Sequence, residues 1–308
     1  MIEVKDLGKH FSSGILKKHC IKAVDGISFQ IERGETLGLV GESGCGKTTI
    51  GKLLLRLIEP TNGKILFDGI DLLQLKRTEL RKFRPRMQMI FQDPDASLNP
   101  RMKIGDSIAE PLKLQGNIGK SEIKDKVSEL IETVGLNPEH VNRYPYQLSG
   151  GQNQRVVLAR VLALNPDFIV ADEPTSSLDV SVQAQILKLI QDLKRELHLT
   201  LLFISHDLEV VRYMSDRIAV MYLGKIVEIG NAKDIFDDAR HPYTNTLISP
   251  ASIGDQVISD GDTKNVSDYP SGCVFYPRCS FCTELCSKKE PEMVEIGGGH
   301  QVLCHCIT

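Results

Sequence analysis

Gly41-Glu42-Ser43-Gly44-Cys45-Gly46-Lys47-Thr48-Thr49 decides the fold. A glycine, four residues and then Gly-Lys-Thr is the pattern of a phosphate-binding loop when a strand precedes it and a helix follows. Both flanks are present. Thr36-Leu37-Gly38-Leu39-Val40 reads as a short buried strand, and Ile50, Leu53, Leu54, Leu57 and Ile58 recur at helical spacing until Pro60 stops the run. Glycines let backbone N–H groups curl around a polyphosphate, and the start of a helix adds its positive end. Lys47 is then set for the β- and γ-phosphates, and the Thr48 hydroxyl for Mg²⁺. The stretch implies a bound nucleoside triphosphate.

Around this loop, 308 residues leave room for one large domain or two. A net charge of −3 gives no global field that would draw nucleic acid. The basic stretch from Lys76 to Arg86 reads as a solvated helix face. No apolar run approaches membrane-spanning length, and Met1-Ile2-Glu3-Val4-Lys5-Asp6 lacks a signal-peptide core. The expectation is a cytosolic chain that meets a membrane only through a partner. Eight cysteines in such a chain argue against disulfides, and six of them fall after residue 272. That asymmetry marks a separate tail.

Ahead of the loop, Val24, Ile27, Phe29 and Ile31 alternate as strands do, with a polar insert from Ser12 to His19. Phe11 stands before the insert, either as a core aromatic or as a ring that folds over a bound base. After the loop, Lys64-Ile65-Leu66-Phe67 and Met87-Gln88-Met89-Ile90-Phe91 read as strands, the second ending in Gln92-Asp93-Pro94. Residues 95 to about 148 read as mostly helical, broken at Pro100, Pro111, Gly116, Gly135 to Pro138 and Pro145. Ser121 is the expected cap of a helix whose Ile123, Val127, Leu130, Ile131 and Val134 share a face.

Three further sites carry chemistry. Leu148-Ser149-Gly150-Gly151-Gln152 opens a helix with Ser149 as N-cap, a second anion-binding end or an ordinary capped one. Phe168-Ile169-Val170-Ala171 is a strand buried on both faces that ends in Asp172-Glu173. Carboxylates there are costly unless they serve an ion or a reaction. Asp172 suits Mg²⁺, and Glu173 suits the group that orients and deprotonates an attacking water. Finally, Ser205-His206-Asp207 follows the apolar strand Thr200 to Ile204. Gly41, Asp172 and His206 each sit after a strand's carboxyl end, where open α/β sheets bind ligands.

With these motifs in hand, the chain resembles the ATP-binding cassette (ABC) family over residues 1 to about 240. The likeness rests on the loop at Gly41 to Thr48, Gln92, the Leu148 to Gln152 signature, Phe168 to Glu173, the turn Ser177-Leu178-Asp179 and His206. It implies an α/β P-loop NTPase fold with an N-terminal antiparallel β subdomain and a helical insertion at about 95–160. It also implies Phe11 as an adenine-stacking ring, and Gln92 as a partner of the ion and the catalytic water. Ser149, Gly150, Gly151, Gln152 and Asp179 would act in trans on a second subunit's ATP.

Gln88 to Pro94, Ser97-Leu98-Asn99-Pro100, Asp179 to Gln183 and His241-Pro242-Tyr243-Thr244 look like the oligopeptide/dipeptide/nickel importers. Arg101-Met102 and Glu110-Pro111-Leu112 look like the second of their paired ATPase subunits. The resemblance therefore implies a heterodimer of ATPases, two integral membrane permease subunits, an extracytoplasmic binding protein and a place on the cytoplasmic face of the membrane. Peptide is the expected cargo and nickel or another chelated metal the alternative. A soluble ABC ATPase acting on nucleic acid is disfavoured by the single cassette and the near-neutral charge.

Residues 241–308 read as an extension in which Ser252 to Ser271 is a polar linker. Beyond it stand Cys273, Cys279, Cys282, Cys286, Cys304 and Cys306. Four thiolates suit tetrahedral Zn²⁺ or an iron–sulfur cluster, and Cys279-Ser280-Phe281-Cys282 has zinc-like spacing. The importer likeness shifts the expectation to a 4Fe-4S cluster on Cys273, Cys279, Cys286 and Cys304, leaving Cys282 and Cys306 over. Cys20 and Cys45 read as plain small residues.

Overall fold

The N-terminal alternation forms a hairpin, β1 (Ile2–Ser13) pairing antiparallel with β2 (His19–Ile31). Ile2 faces Ile31 and Val4 faces Phe29 across it, so alternate positions bury one apolar face. The computed structural model describes residues 1–13, 19–116, 118–249 and 272–307. Most of the Ser12–His19 insert and all of the Ser252–Ser271 linker lie outside the described residues. Two units emerge, Met1–Gln74 with Phe203–Thr308, and Leu75–Leu202.

In the first unit the hairpin is extended by β4 (Asn62–Phe67) and β5 (Ile70–Asp71) into an antiparallel sheet of order β2-β1-β4-β5. The strand before the phosphate loop, β3 (Thr36–Val40), is buried at every position, as its apolar run predicts. It runs parallel to β9 (Arg217–Tyr222), which continues antiparallel into β10 (Lys225–Asn231). The tail supplies the next two strands, β11 (Met293–Gly297) and β12 (His300–Leu303), with β12 antiparallel to β10. Residues beyond 240 are thus sheet neighbours of β10.

After the loop comes α1 (Lys47–Leu54), which buries Ile50, Leu53 and Leu54. It stops short of the Leu57 and Ile58 expected in it. Arg56 turns left-handed at φ 47, its N–H bonds Leu53 O, and Leu57 N–H reaches back to Lys52 O. This is a Schellman ending made without the usual glycine, and it throws Leu57 to the surface, 47% exposed.

In the second unit β6 (Met87–Ile90) and β7 (Phe168–Asp172) pair in parallel, Met87 opposite Phe168. Around them lie α2 (Arg77–Phe83), α3 (Pro94–Ser97), α4 (Ile104–Gln115), α5 (Lys120–Thr133), α6 (Gly150–Leu162) and α7 (Val180–Leu197). On α2 only Leu80 is buried, so the basic stretch is the solvated face its charges predicted. Pro111 does not break α4 but sits inside it. An interior proline costs about 3 kcal/mol; buried Ile104, Ile108 and Leu112 on either side of it offset that cost. Ser121 is not the cap of α5: Gly119, extended at φ −71, holds that place, and Glu122 in the first turn complements the positive end. The face with Ile123, Val127 and Ile131 is buried as read.

The helix α6 is wrapped nearly all round, burying Val156, Val157, Leu158, Ala159, Val161 and Leu162. On α7 the stripe of Ile186, Ile190 and Leu193 faces inward. The strand β8 (Thr200–Ile204) is wholly buried and carries the chain back to the first unit, where α8 (Leu208–Met214), α9 (Ala232–Asp237), α10 (Pro242–Ile248) and α11 (Glu284–Lys288) complete the described helices.

Candidate functional site

The loop between β3 and α1 is shaped by contacts that only glycine tolerates. A Cβ on Gly41 (φ 151) would lie 2.1 Å from Met221 O, and one on Gly46 (φ 115) would lie 2.1 Å from Ala23 O. Lys47 is 7% exposed and folds over the loop. Its Nζ donates to Gly41 O at 2.7 Å and Glu42 O at 2.9 Å, and lies 3.7 Å from Cys45 Sγ. Burial pushes the Cys45 thiol up, so it meets the ammonium as a neutral group. Ser43 and Gly44 stay exposed at the rim, while Thr48 and Thr49 lie in the first turn of α1.

In the same unit Phe11 is 41% exposed rather than a core aromatic, with Lys9 Nζ 5.0 Å from its ring centre. Ser205 N–H donates to Leu39 O at 3.4 Å, so exposed His206 follows directly beside the end of β3.

The second unit holds the carboxylates. Asp172, last residue of β7, is 5% exposed, and Glu173 after it has a left-handed backbone at φ 48. Strain of that kind concentrates where a side chain must be aimed. Glu173 Oε2 accepts from Gln92 Nε2 at 3.2 Å, which brings together two side chains 81 residues apart. Asp179 caps α7 by accepting the Val182 N–H at 3.0 Å.

At α6, Ser149 and Gly150 are exposed. Ser149 Oγ accepts the Gln152 N–H at 3.3 Å, and Gln152 Oε1 accepts the Ser149 N–H at 3.0 Å, a reciprocal capping box. Gly151 packs against α7, where a Cβ would stand 2.3 Å from Val182 Cγ1. Asn153 Nδ2 donates to Asp95 Oδ1 at 2.8 Å, tying this helix start to the segment after Gln92. Asp93 in turn caps α3 through the Asp95 and Ala96 N–H groups.

The expected metal centre at Cys273, Cys279, Cys286 and Cys304 is not met. All eight cysteines are free, and among the described residues no three His, Cys, Asp or Glu side chains are disposed to share an ion. Within the tail, Cys286 Sγ accepts the Thr283 N–H at 3.5 Å, and Cys304 Sγ accepts the Cys306 N–H at 3.4 Å. Burial raises the Cys273 and Cys279 thiols and lifts that of Cys304 to about 11, so these three sit protonated near neutrality.

Sequence reasoning missed what anchors residues beyond 240. Glu228 on β10 is fully buried, accepting from the Arg240 N–H at 2.7 Å and the His241 N–H at 3.0 Å, with His300 Nε2 at 2.7 Å. A carboxylate in the apolar run Ile226 to Ile229 was the available signal. Tyr243 and Arg278, which reach Glu42 of the phosphate loop, carried no such mark.

A parallel strand, a glycine loop closed by a buried lysine and a helix start define a P-loop nucleotide-binding protein. Comparison with known proteins narrows this. Residues 24–176 match the ABC transporter family model, and residues 227–286 match the C-terminal region of oligopeptide/dipeptide transporters. A putative peptide import ATP-binding protein of Brucella ovis is 48% identical over 310 residues, spanning 99% of this chain and 97% of the relative. The oligopeptide transport ATP-binding protein AppF of Bacillus subtilis is 45% identical over 318 residues, with 99% and 97% covered. Among solved structures, the ATP-binding cassette MJ0796, in a dimeric post-hydrolysis state bound to ADP and Pi, superposes with a TM-score of 0.68 at 31% identity, over 75% of this chain and 99% of that one. CbiO1 from Clostridium perfringens, part of an ABC transporter complex, gives 0.69 at 28%, over 82% and 96%. The chain belongs to the ABC transporter ATP-binding proteins of the oligopeptide/dipeptide transporter group.

Proposed function

We propose that this chain is the ATP-hydrolysing subunit that energises a membrane importer of oligopeptides or dipeptides. The observation that carries the reading is the pairing, in one chain, of the ABC cassette match with the oligopeptide/dipeptide C-terminal match. Among the described residues no helix is long and apolar enough to cross a membrane. Peripheral attachment to permease partners at the cytoplasmic face belongs to the same reading, supported by the peptide-import relatives and the transporter C-terminal match.

In this reading Phe11 stacks on the adenine and Gly41 through Thr49 hold the phosphates. Glu173 takes a proton from the attacking water, which supplies oxygen to the γ-phosphoryl as the bond to ADP breaks; such a base contributes roughly 10²–10⁴ in rate. Gln92, hydrogen-bonded to Glu173, orients the same water, and His206 donates to the γ-phosphate. The hydroxyl of Thr48, the carboxamide of Gln92 and the buried carboxylate of Asp172 are hard oxygen donors that suit Mg²⁺. These side chains would hold the ion, which when bound would supply charge neutralisation to the phosphates.

Ser149, Gly150, Gly151, Gln152 and Asp179 serve the ATP of a second ATPase subunit, a heterodimeric partner. The exposed start of α6 supports that role, and so does the dimeric state of MJ0796. Nucleotide then drives closure and hydrolysis releases it. An open hollow of about 450 Å³ lined by Asn99, Arg101, Met102, Lys103, Asp106 and Tyr144 is a fitting seat for one of two permease subunits, with an extracytoplasmic binding protein delivering cargo. No metal in the tail enters this reading.

Glu173→Gln tests it. The variant is expected to bind ATP, accumulate as a closed ATPase dimer with its cognate partner, and lose phosphate release by about 10²–10⁴. Wild-type turnover in that variant removes Glu173 from its role. Full-speed hydrolysis by a monomer indifferent to any permease overturns the transport function.

A further inference from the structure

The residue after Gly41 is a glutamate, a negative charge at the rim of a loop shaped for a polyphosphate. Left to itself, the Glu42 carboxylate repels the ligand. It is instead held at three points. Arg278 Nη1 donates to both its oxygens, at 2.9 and 3.0 Å. Its backbone N–H donates to Tyr243 Oη at 3.1 Å, and its carbonyl accepts from Lys47 Nζ at 2.9 Å.

The first two partners come from beyond residue 240, and they are rigidly mounted. Tyr243 is 1% exposed and packs on Tyr222 with ring centres 4.6 Å apart; Phe275, also buried, closes against both, at 5.3 Å from Tyr222 and 5.5 Å from Tyr243. The Arg278 guanidinium lies over this group, 5.6 Å from the Tyr222 ring and 5.9 Å from that of Phe275, and its Nη1 reaches Tyr222 Oη at 3.4 Å. It stands in the helical turn Tyr276–Arg278, next to Cys279 and five residues after the Cys273 whose N–H bonds Cys286 O at 2.8 Å. The thiol-bearing tail therefore ends, through one guanidinium and one phenol, on the phosphate loop.

We propose that Tyr243 and Arg278 are positioning residues for ATP: the C-terminal extension neutralises the Glu42 carboxylate and fixes its backbone, so the extension sets the affinity of the loop. This rests on the reading of Gly41–Thr49 as the ATP cradle. The pair acts on binding rather than on the chemical step. Because the ion pair is partly exposed, its effect is moderate and weakens with salt.

The test measures equilibrium ATP binding, KM and kcat of the full chain with its cognate ATPase. Arg278→Ala is expected to raise Kd and KM for ATP about fivefold to tenfold with kcat changed less than about twofold, the rise shrinking in high salt. Adding Glu42→Gln to Arg278→Ala should restore the affinity, since the charge left unneutralised is gone. A merely structural arginine would not be rescued in that way. Tyr243→Phe, which keeps the packing and loses the acceptor, should raise KM about threefold. Should Arg278→Ala fold poorly, Arg278→Gln, which keeps a long polar side chain and loses the charge, decides: it must raise Kd and KM for ATP, and that rise must shrink in high salt. Unchanged affinity in Arg278→Ala, or no rescue by Glu42→Gln, overturns the proposal while wild-type binding leaves the ATP cradle standing. A wild-type chain that binds no ATP overturns both.

Discussion

Two glycine-rich helix starts in this chain are built in opposite ways. At α1 the polar groups turn inward: Lys47 is buried and its ammonium bonds the carbonyls of Gly41 and Glu42. At α6 Ser149 and Gly150 stand in solvent, and the Ser149–Gln152 box satisfies only the helix end itself. The same local chemistry thus yields one site furnished from within the chain and one open end. In the proposed mechanism the open end meets a nucleotide held by another subunit, so the difference is between owning a ligand and completing a neighbour's.

Lys47→Ala probes the inward site and carries the largest expected effect. Losing two charge-assisted hydrogen bonds to phosphate should weaken ATP binding to the isolated chain about a thousandfold, read by equilibrium nucleotide titration. If binding survives, α1 is no more a ligand end than α6.

Acid should separate the two starts next. Burial pushes His241 down to about 4, and its Nδ1 caps α10 by accepting the N–H of Tyr243, which in turn holds Glu42. A histidine kept neutral in the fold and free to protonate near 6.5 when unfolded contributes stability that is present above 6.5. That stability is lost as pH falls toward 4, amounting to about 3 kcal/mol. His241→Asn keeps a capping oxygen and removes the titration, so denaturant unfolding at pH 7 and pH 4.5 should differ less than in wild type. Equal acid sensitivity in the two proteins would clear His241.

Ser149→Arg acts on the open end and should be the mildest. ATP binding by the isolated chain should hold, while turnover of the assembled ATPase pair falls about tenfold as a bulky cation blocks the helix start. Loss of binding in the isolated chain would erase the distinction between the two ends.

Legibility followed the range of the interactions. The runs Thr36–Val40, Phe168–Ala171 and Thr200–Ile204 declared buried strands because they are almost wholly apolar without a polar alternation, the two opening threonines aside. The end of α1 was not legible, since Arg56 enters the left-handed region without the glycine that advertises it. Nor was the continuation of α4 through Pro111, which depends on what Ile108 and Leu112 pack against. In the tail, counting cysteines suggested a metal site, whereas among the described residues no three ligand side chains are grouped to share an ion, a matter of side-chain placement that spacing along the chain does not record.

By itself, then, the sequence determined the phosphate loop, the buried strands around it and the family, because each is written in contiguous residues whose spacing is fixed by backbone geometry. Tertiary structure alone decided that Gln92 meets Glu173, that Phe11 is exposed and that Tyr243 and Arg278 close on Glu42. Those contacts join residues far apart in the chain, and their partners are selected by packing, which no local pattern records.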